Sequence, residues 1–284
     1  MVPAAQRPVL NAAVLGQPVA HSLSPTLHAA GYRALGLTEW RYTAHEVGAD
    51  DLAGWVGERD ESWRGLSLTM PLKEVAFEVA ATVTETARVT GAVNTLVRRE
   101  DLGWDAHNTD VHGIEAALAG APHDGAATVL GGGATARSAL LALAGLGVRS
   151  VQLAVRGDAR PETLRLAVHA GVAVEVVALA DWARDPGRLV VSTLPPAGAV
   201  AAAAALGGPA GGRKGRELSG ATVMDVVYAD WPTPLARAAT AAGATVVSGL
   251  DMLVHQAAEQ FRLFTGEAPP VDAMYAAGRQ ALAR

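Results

Sequence analysis

Between Thr128 and Gly249 the chain alternates short β-branched runs with Ala- and Leu-rich stretches of helical length, and this alternation narrows the possible folds more than any other feature. The runs are TVL from Thr128, SVQLAV from Ser150, VAVEVVAL from Val172, RLVVST from Arg188, ATVMDVVY from Ala221 and ATVVS from Ala244. Near-continuous apolar runs suit strands buried on both faces, and the intervening helices suit right-handed crossovers, so a doubly wound parallel sheet follows. Before it, residues 1–110 also mix strands, in VLNAAVLG, EWRYTAHEV, RGLSLT and GAVNTLVRRE, with helices near Pro25 and Leu72, and read as a separate α/β layer. After Gly249, Leu250, Leu253, Val254, Ala257, Ala258 and Phe261 recur at helical spacing, and Gly266 is a C-cap candidate. GGPAGGRKGREL, after an alanine run, reads as a loose surface loop.

At 284 residues, 50% hydrophobic and 18% charged, the chain is long enough for two domains that each bury a core. The net charge is −5 and the basic residues are scattered, which excludes the footprint of a nucleic-acid binder; a small acidic ligand needs a local basic site. The absence of cysteine excludes disulfides, zinc–thiolate sites and thiol catalysis. The start lacks a signal-peptide layout and no stretch offers about twenty apolar residues, so a soluble cytoplasmic protein without membrane partners is expected. Monomer and homodimer both remain open.

TVLGGGATARSALLAL follows a strand and opens a helix, the context that lifts a glycine cluster above chance as a dinucleotide loop; an ordinary glycine-rich connection is the alternative. Gly131 suits the tight turn, Gly133 lets the backbone approach a pyrophosphate, and Ala134 and Ala136 stay small for close packing, with Gly132 a further cofactor-binding candidate in the loop. The domain is therefore expected to be Rossmann-like. Its second strand ends at Val155 and Arg156, with Arg160 four residues on and Asp158 the only nearby acid. Two guanidinium groups at that end suit the 2′-phosphate of NADP; two solvated surface arginines are the alternative.

Elsewhere, HSLSPTLH gathers hydroxyls around one proline. Ser24 before Pro25 reads as a helix N-cap, while Ser22 has no capping duty at that offset and suits a carboxylate or phosphate. GLSLTMPLKE carries Thr69 and Lys73 across a proline turn, GAVNTL carries Asn94, and DAHNTDVHG carries Asn108 and Asp110. Each has an ordinary reading as turn, cap or solvated helix start. Together, a Lys and an Asp can share proton transfer and an Asn can orient a hydroxylated substrate. His107, Asp110 and His112 lie close in sequence, but the two histidines at 107 and 112 suit no one helical face, and no metal site is expected.

In this order the segments resemble those of the shikimate dehydrogenase family. LGQPVAHSLSPTLH is similar to its serine motif, SLTMPLKE to its lysine motif, GAVNT to its asparagine motif and NTD to its aspartate motif. GGGATAR resembles its dinucleotide loop, DVVYADWPTPL its tyrosine segment and GLDMLVHQA its C-terminal glutamine segment. The resemblance implies a substrate domain of residues 1–110 and 250–284, into which the C-terminal helices return, an NADP-binding domain of residues 111–249, and an active site in the cleft. It implies reversible reduction of 3-dehydroshikimate to shikimate by NADPH. Ser22, Ser24 and Tyr228 are then the carboxylate ligands; Thr69, Asn94, Asp110 and Gln256 surround the ring hydroxyls; Lys73 and Asp110 are the catalytic pair; Gly249 and Met252 lie near the nicotinamide.

The chain departs from the family pattern at Ser67, where many members have asparagine, in AHNTD, and in VRGDAR, which keeps the arginines but loses two polar groups. An NAD-preferring quinate/shikimate dehydrogenase is the nearest alternative, but it would carry an acid in place of Val155-Arg156. A non-catalytic shikimate-binding regulator would have lost Lys73 or Asp110.

Overall fold

A computed structural model describes residues 8–207 and 217–283, so most of GGPAGGRKGREL lies outside the described residues. The chain divides into two compact units, the first described over 8–88, 92–109 and 257–283, the second over 89–91, 110–207 and 217–256. Its strands are β1 (Leu10–Gly16), β2 (Trp40–Glu46), β3 (Trp63–Leu68), β4 (Thr82–Val83), β5 (Thr95–Arg98), β6 (Trp104–His107), β7 (Ala126–Leu130), β8 (Ser150–Val155), β9 (Ala173–Ala178), β10 (Leu189–Ser192), β11 (Thr222–Asp225) and β12 (Thr245–Ser248). Its helices are α1 (Ser24–Leu35), α2 (Leu52–Gly57), α3 (Glu85–Thr90), α4 (Asp110–Ala117), α5 (Ala134–Gly145), α6 (Pro161–His169), α7 (Pro196–Leu206), α8 (Pro234–Ala241), α9 (Gly249–Thr265) and α10 (Val271–Leu282).

In the first unit the sheet runs β2-β1-β3-β5-β6-β4. β1 pairs in parallel with β2 and β3, whereas β5 is antiparallel to both β3 and β6. The central strand β1 is buried from Ala12 to Gly16, as a strand covered on both faces must be, while edge strand β2 is mostly exposed. Leu15, Leu66, Leu68, Leu96 and Trp104 are packed in one core. A second cluster forms where His28 of α1 stacks on Tyr42 with ring centroids 4.1 Å apart and Phe261 and Phe264 of α9 close beside it. Burial pushes the His28 imidazole down to about 3, so the ring is a neutral packing element. Phe264 lies so close to β3 that a Cβ on Gly65 would be 2.0 Å from its ring, and Phe261 is similarly placed against Gly31 at 2.7 Å.

In the second unit the strand order is β12-β11-β10-β7-β8-β9, and every pairing is parallel. This is the doubly wound order with its reversal between β7 and β10, and ligands in such sheets bind beyond the carboxyl ends of the strands at that reversal. Alternation along the strands sends Val129 and Val191 to one face, with Leu140 and Leu153, and Leu130 and Val190 to the other, with Trp182 and Leu235. α9 contributes Gly249–Gln256 to this unit and its remaining residues to the first. Gly266 ends it as expected, with φ +77° and its N–H donating to the Arg262 carbonyl at 2.9 Å.

Three local expectations are corrected. The helix near Leu72 is a run of turns followed by a 3₁₀ segment over Val75–Val79; the Leu72 N–H reaches back only to Thr69, an i to i+3 bond that does not open an α-helix here. ATVMDVVY is a strand only to Asp225, and residues 226–228 leave the sheet. Ser24 is not the cap of α1. The chain already has helical dihedrals at Leu23, so Ser24 is inside the helix, and its backbone N–H donates to the Ser22 hydroxyl at 3.3 Å. The side chain with a local structural bond is therefore Ser22, in a serine turn.

Candidate active site

In the first unit three of the expected site segments come together through backbone bonds. The Val93 N–H donates to the Lys73 carbonyl at 2.7 Å, the Leu68 N–H to the Asn94 carbonyl at 2.8 Å, and the Thr69 N–H to the Leu15 carbonyl at 2.9 Å. The start of the serine segment is tied in as well, because the Gln17 N–H, just after β1, donates to the Met70 carbonyl at 2.9 Å. Asn94 is buried, and its amide orientation is set by chemistry: Oδ1 accepts the Thr109 N–H at 2.8 Å and the Thr95 hydroxyl at 2.8 Å, so Nδ2 is the edge that donates to the Thr109 hydroxyl at 3.0 Å. Lys73 and Ser22 are half-buried, Ser24 is buried, and Thr69 is half-buried beside the exposed Met70.

A residue absent from the sequence expectations locks this arrangement. Gln260, 1% exposed on α9, donates from Nε2 to the Asn94 carbonyl at 3.2 Å and the Thr95 hydroxyl at 2.9 Å. A carbonyl can only accept, so Oε1 must face Ser67, whose hydroxyl donates to it at 2.7 Å and in turn accepts from Tyr42 at 2.6 Å. Ser67, the departure from the family pattern, thus joins a buried polar chain rather than leaving a gap. Helical spacing places Gln260 on α9 but says nothing of these partners.

In the second unit Asp110 opens α4 and is 4% exposed. It directly follows Thr109, the residue gripped by Asn94. α4 lies hard against α9: a Cβ on Gly113 would be 2.8 Å from the Met252 carbonyl oxygen and 2.9 Å from Gln256 Cβ. Asp110, Met252 and Gln256 thus sit on two touching helices, with Met252 and Gln256 both buried. Tyr228 is half-buried in the loop after β11, and Gly249 presses on the start of that loop, since a Cβ there would be 2.2 Å from the Val226 carbonyl oxygen.

The glycine loop follows β7 at the strand-order reversal. Gly131 has φ +110°, a conformation that side chains rarely adopt, and Gly133 precedes α5 with no atom within 4 Å of where its Cβ would stand. That open space in front of a twelve-residue helix suits a pyrophosphate. Gly132 touches Val155, a Cβ there being 3.2 Å from Val155 Cγ1, so the loop adjoins the end of β8 where Arg156 is exposed. Arg160 is also exposed and immediately precedes α6. These residues fit a phosphorylated dinucleotide. Arg137, unassigned in the sequence although it lies in GGGATAR, is 2% exposed and donates to the carbonyls of Thr90 and Gly91 at 2.5 and 3.0 Å.

A parallel sheet with its glycine loop at the strand-order reversal, in one chain with an α/β unit bearing a lysine turn and a clamped asparagine, defines a dinucleotide-binding α/β protein of the oxidoreductase type. Residues 14–96 match the model for the shikimate dehydrogenase substrate binding domain, and residues 249–277 that for the shikimate 5′-dehydrogenase C-terminal domain. A shikimate dehydrogenase (NADP(+)) of Synechococcus sp. strain JA-3-3Ab is 36% identical over 95% of this chain and 94% of its own length. Among solved structures, shikimate dehydrogenase of Mycobacterium tuberculosis is 42% identical with a TM-score of 0.84, covering 96% of this chain and 99% of that one. Shikimate 5-dehydrogenase of Thermus thermophilus, solved with NADP(H) and shikimate, is 33% identical with a TM-score of 0.78, covering 96% and 100%. The chain belongs to the shikimate dehydrogenase family.

Proposed function

We propose that the chain is an NADP-dependent shikimate dehydrogenase, which reversibly reduces 3-dehydroshikimate to shikimate in chorismate and aromatic amino-acid biosynthesis, and works in the cytoplasm as a monomer or homodimer. Residues 1–110 and 250–284 serve the substrate and residues 111–249 the dinucleotide. One observation carries the reading: Lys73, Asn94 and the residue before Asp110 are joined by consecutive hydrogen bonds, Lys73 carbonyl to Val93 and Asn94 amide to Thr109.

When bound, NADPH supplies a hydride to the ring ketone. Lys73 stabilises the negative charge that develops on the ketone oxygen and supplies its proton, while Asp110 accepts a hydrogen bond from the resulting hydroxyl and orients it. Thr69, Asn94 and Gln256 hold the other ring hydroxyls, and Ser22, Ser24 and Tyr228 hold the carboxylate. Gly131, Gly132, Gly133 and Ala134 receive the pyrophosphate, Gly249 and Met252 border the nicotinamide, and Arg156 and Arg160 take the 2′-phosphate. The test is to mix shikimate or quinate with NADP or NAD and follow the reduced nicotinamide. Reduction with shikimate and NADP is expected, and its absence sinks the reading.

Cofactor choice has its own measurement. Arg156→Ala is expected to weaken NADP(H) by about 1.5–3 kcal/mol, the size of a charge-assisted hydrogen bond, and to leave NAD(H) nearly unchanged. Equal losses for both dinucleotides in the two Michaelis constants would remove Arg156 from the 2′-phosphate.

A further inference from the structure

Asp225 is a fully buried carboxylate at the carboxyl end of a central strand, between Ser192 of β10 and Ser248 of β12 in the sheet register. A buried charge is costly unless hydrogen bonds compensate it, and here they have a particular layout. Oδ1 accepts the Val227 N–H at 3.3 Å, and Oδ2 accepts the Thr233 hydroxyl at 2.7 Å. The Thr233 hydroxyl itself accepts the Ala236 N–H at 3.0 Å and so caps α8. One side chain therefore ties the entry and the exit of the loop from Val226 to Thr233. Both partners are donors, and a carboxylate, which only accepts, satisfies the two at once. Inside the loop lies Tyr228, one residue past the bonded Val227, and Asp230 takes a left-handed φ of +51° to turn the chain back. The loop entry is also wedged against Gly249.

We infer that Asp225 is a positioning residue for shikimate, which it affects by fixing the loop that presents Tyr228; the inference rests on the reading of Tyr228 as a carboxylate ligand. No contact between Asp225 and substrate is involved. The carboxylate fixes the backbone from which the phenol projects, so its loss lets Tyr228 drift and weakens substrate binding while the reacting groups on other elements are unchanged.

The experiment is a double-mutant cycle on the full-length enzyme with thermal midpoints measured alongside. Asp225→Ala is expected to raise the shikimate KM about five- to thirty-fold, with kcat and the NADP KM changed by less than about three-fold. Tyr228→Phe is also expected to raise the shikimate KM, and adding Asp225→Ala to it to raise KM by no more than about two-fold further. A lowered thermal midpoint with an unchanged shikimate KM, or effects of the two variants that simply multiply, would overturn the inference and leave Asp225 a stability residue. A Tyr228→Phe enzyme with unchanged KM would instead overturn the reading of Tyr228 itself, and the inference with it. If Asp225→Ala does not fold, Thr233→Val decides: a raised shikimate KM that disappears in the Tyr228→Phe background, and is restored by Thr233→Ser, supports the inference, and an unchanged KM overturns it.

Discussion

Lys73→Ala is expected to lower kcat on the order of 10³-fold or more, with a much smaller change in the shikimate KM. The ammonium bonds the reacting oxygen most strongly when that oxygen carries negative charge, so its contribution is greater in the transition state than in the ground state. Loss of such a group appears in rate before it appears in binding. Lys73→Met, which keeps the aliphatic stem without the charge, is expected to be nearly as poor. The fold should not suffer in either variant, because the bond that ties the lysine turn to Val93 uses the Lys73 backbone carbonyl. Steady-state kinetics with shikimate and NADP check the split. Unchanged kcat with weakened binding would reduce Lys73 to a ligand clamp, and an active Met variant would return the proton chemistry to Asp110.

Gly249→Ala is the second large effect, and its sign opposes intuition. Within a helix, replacing glycine by alanine ordinarily stabilises by about 0.4–1 kcal/mol. At the first residue of α9, however, the added carbon would stand 2.2 Å from the Val226 carbonyl oxygen, 2.4 Å from its carbon and 2.7 Å from the Val227 carbonyl carbon. These are main-chain atoms, so no side-chain rotamer change relieves the clash; either the start of α9 or the exit of β11 must move. A net loss of about 1–3 kcal/mol is expected, read as a lower thermal midpoint, with a raised shikimate KM as the Tyr228 loop is displaced. A stabilised Gly249→Ala enzyme with wild-type kinetics would show that this approach relaxes at no cost.

The parts of this fold that were legible before the structure are those governed by local periodicity. SVQLAV is β8 from Ser150 to Val155, and the glycine loop falls between β7 and α5. ATVMDVVY overshoots because nothing in its apolar pattern shows that the carboxylate of Asp225 is buried and turns the chain out of the sheet. β6 does not stand out in the sequence because WDAH is four residues long and half polar. At the site, the segments bearing Lys73 and Asn94 were found from their order along the chain. The division of labour between Ser22 and Ser24 was not, since it depends on where helical dihedrals begin, a boundary that sequence locates only to within a residue or two. Gln260 and Arg137 were invisible for one shared reason. A buried polar side chain is explained by its partners, and those of Gln260 and Arg137 lie at Asn94 and Thr90, far away in sequence.

The aromatic cluster around His28 has a consequence for biosynthesis of the chain. Gly31 and Gly65 leave room that Phe261 and Phe264 fill, and both phenylalanines follow residue 256. A ribosome releases 110–256 as one uninterrupted stretch that contains every strand of its own sheet, so this unit can close as soon as it emerges. Residues 8–109 appear earlier but must keep their uncovered apolar surface until the last two helices arrive. The part of the chain made first thus belongs to the unit whose core is completed last, and during that interval it is the part exposed to aggregation and to capture by chaperones.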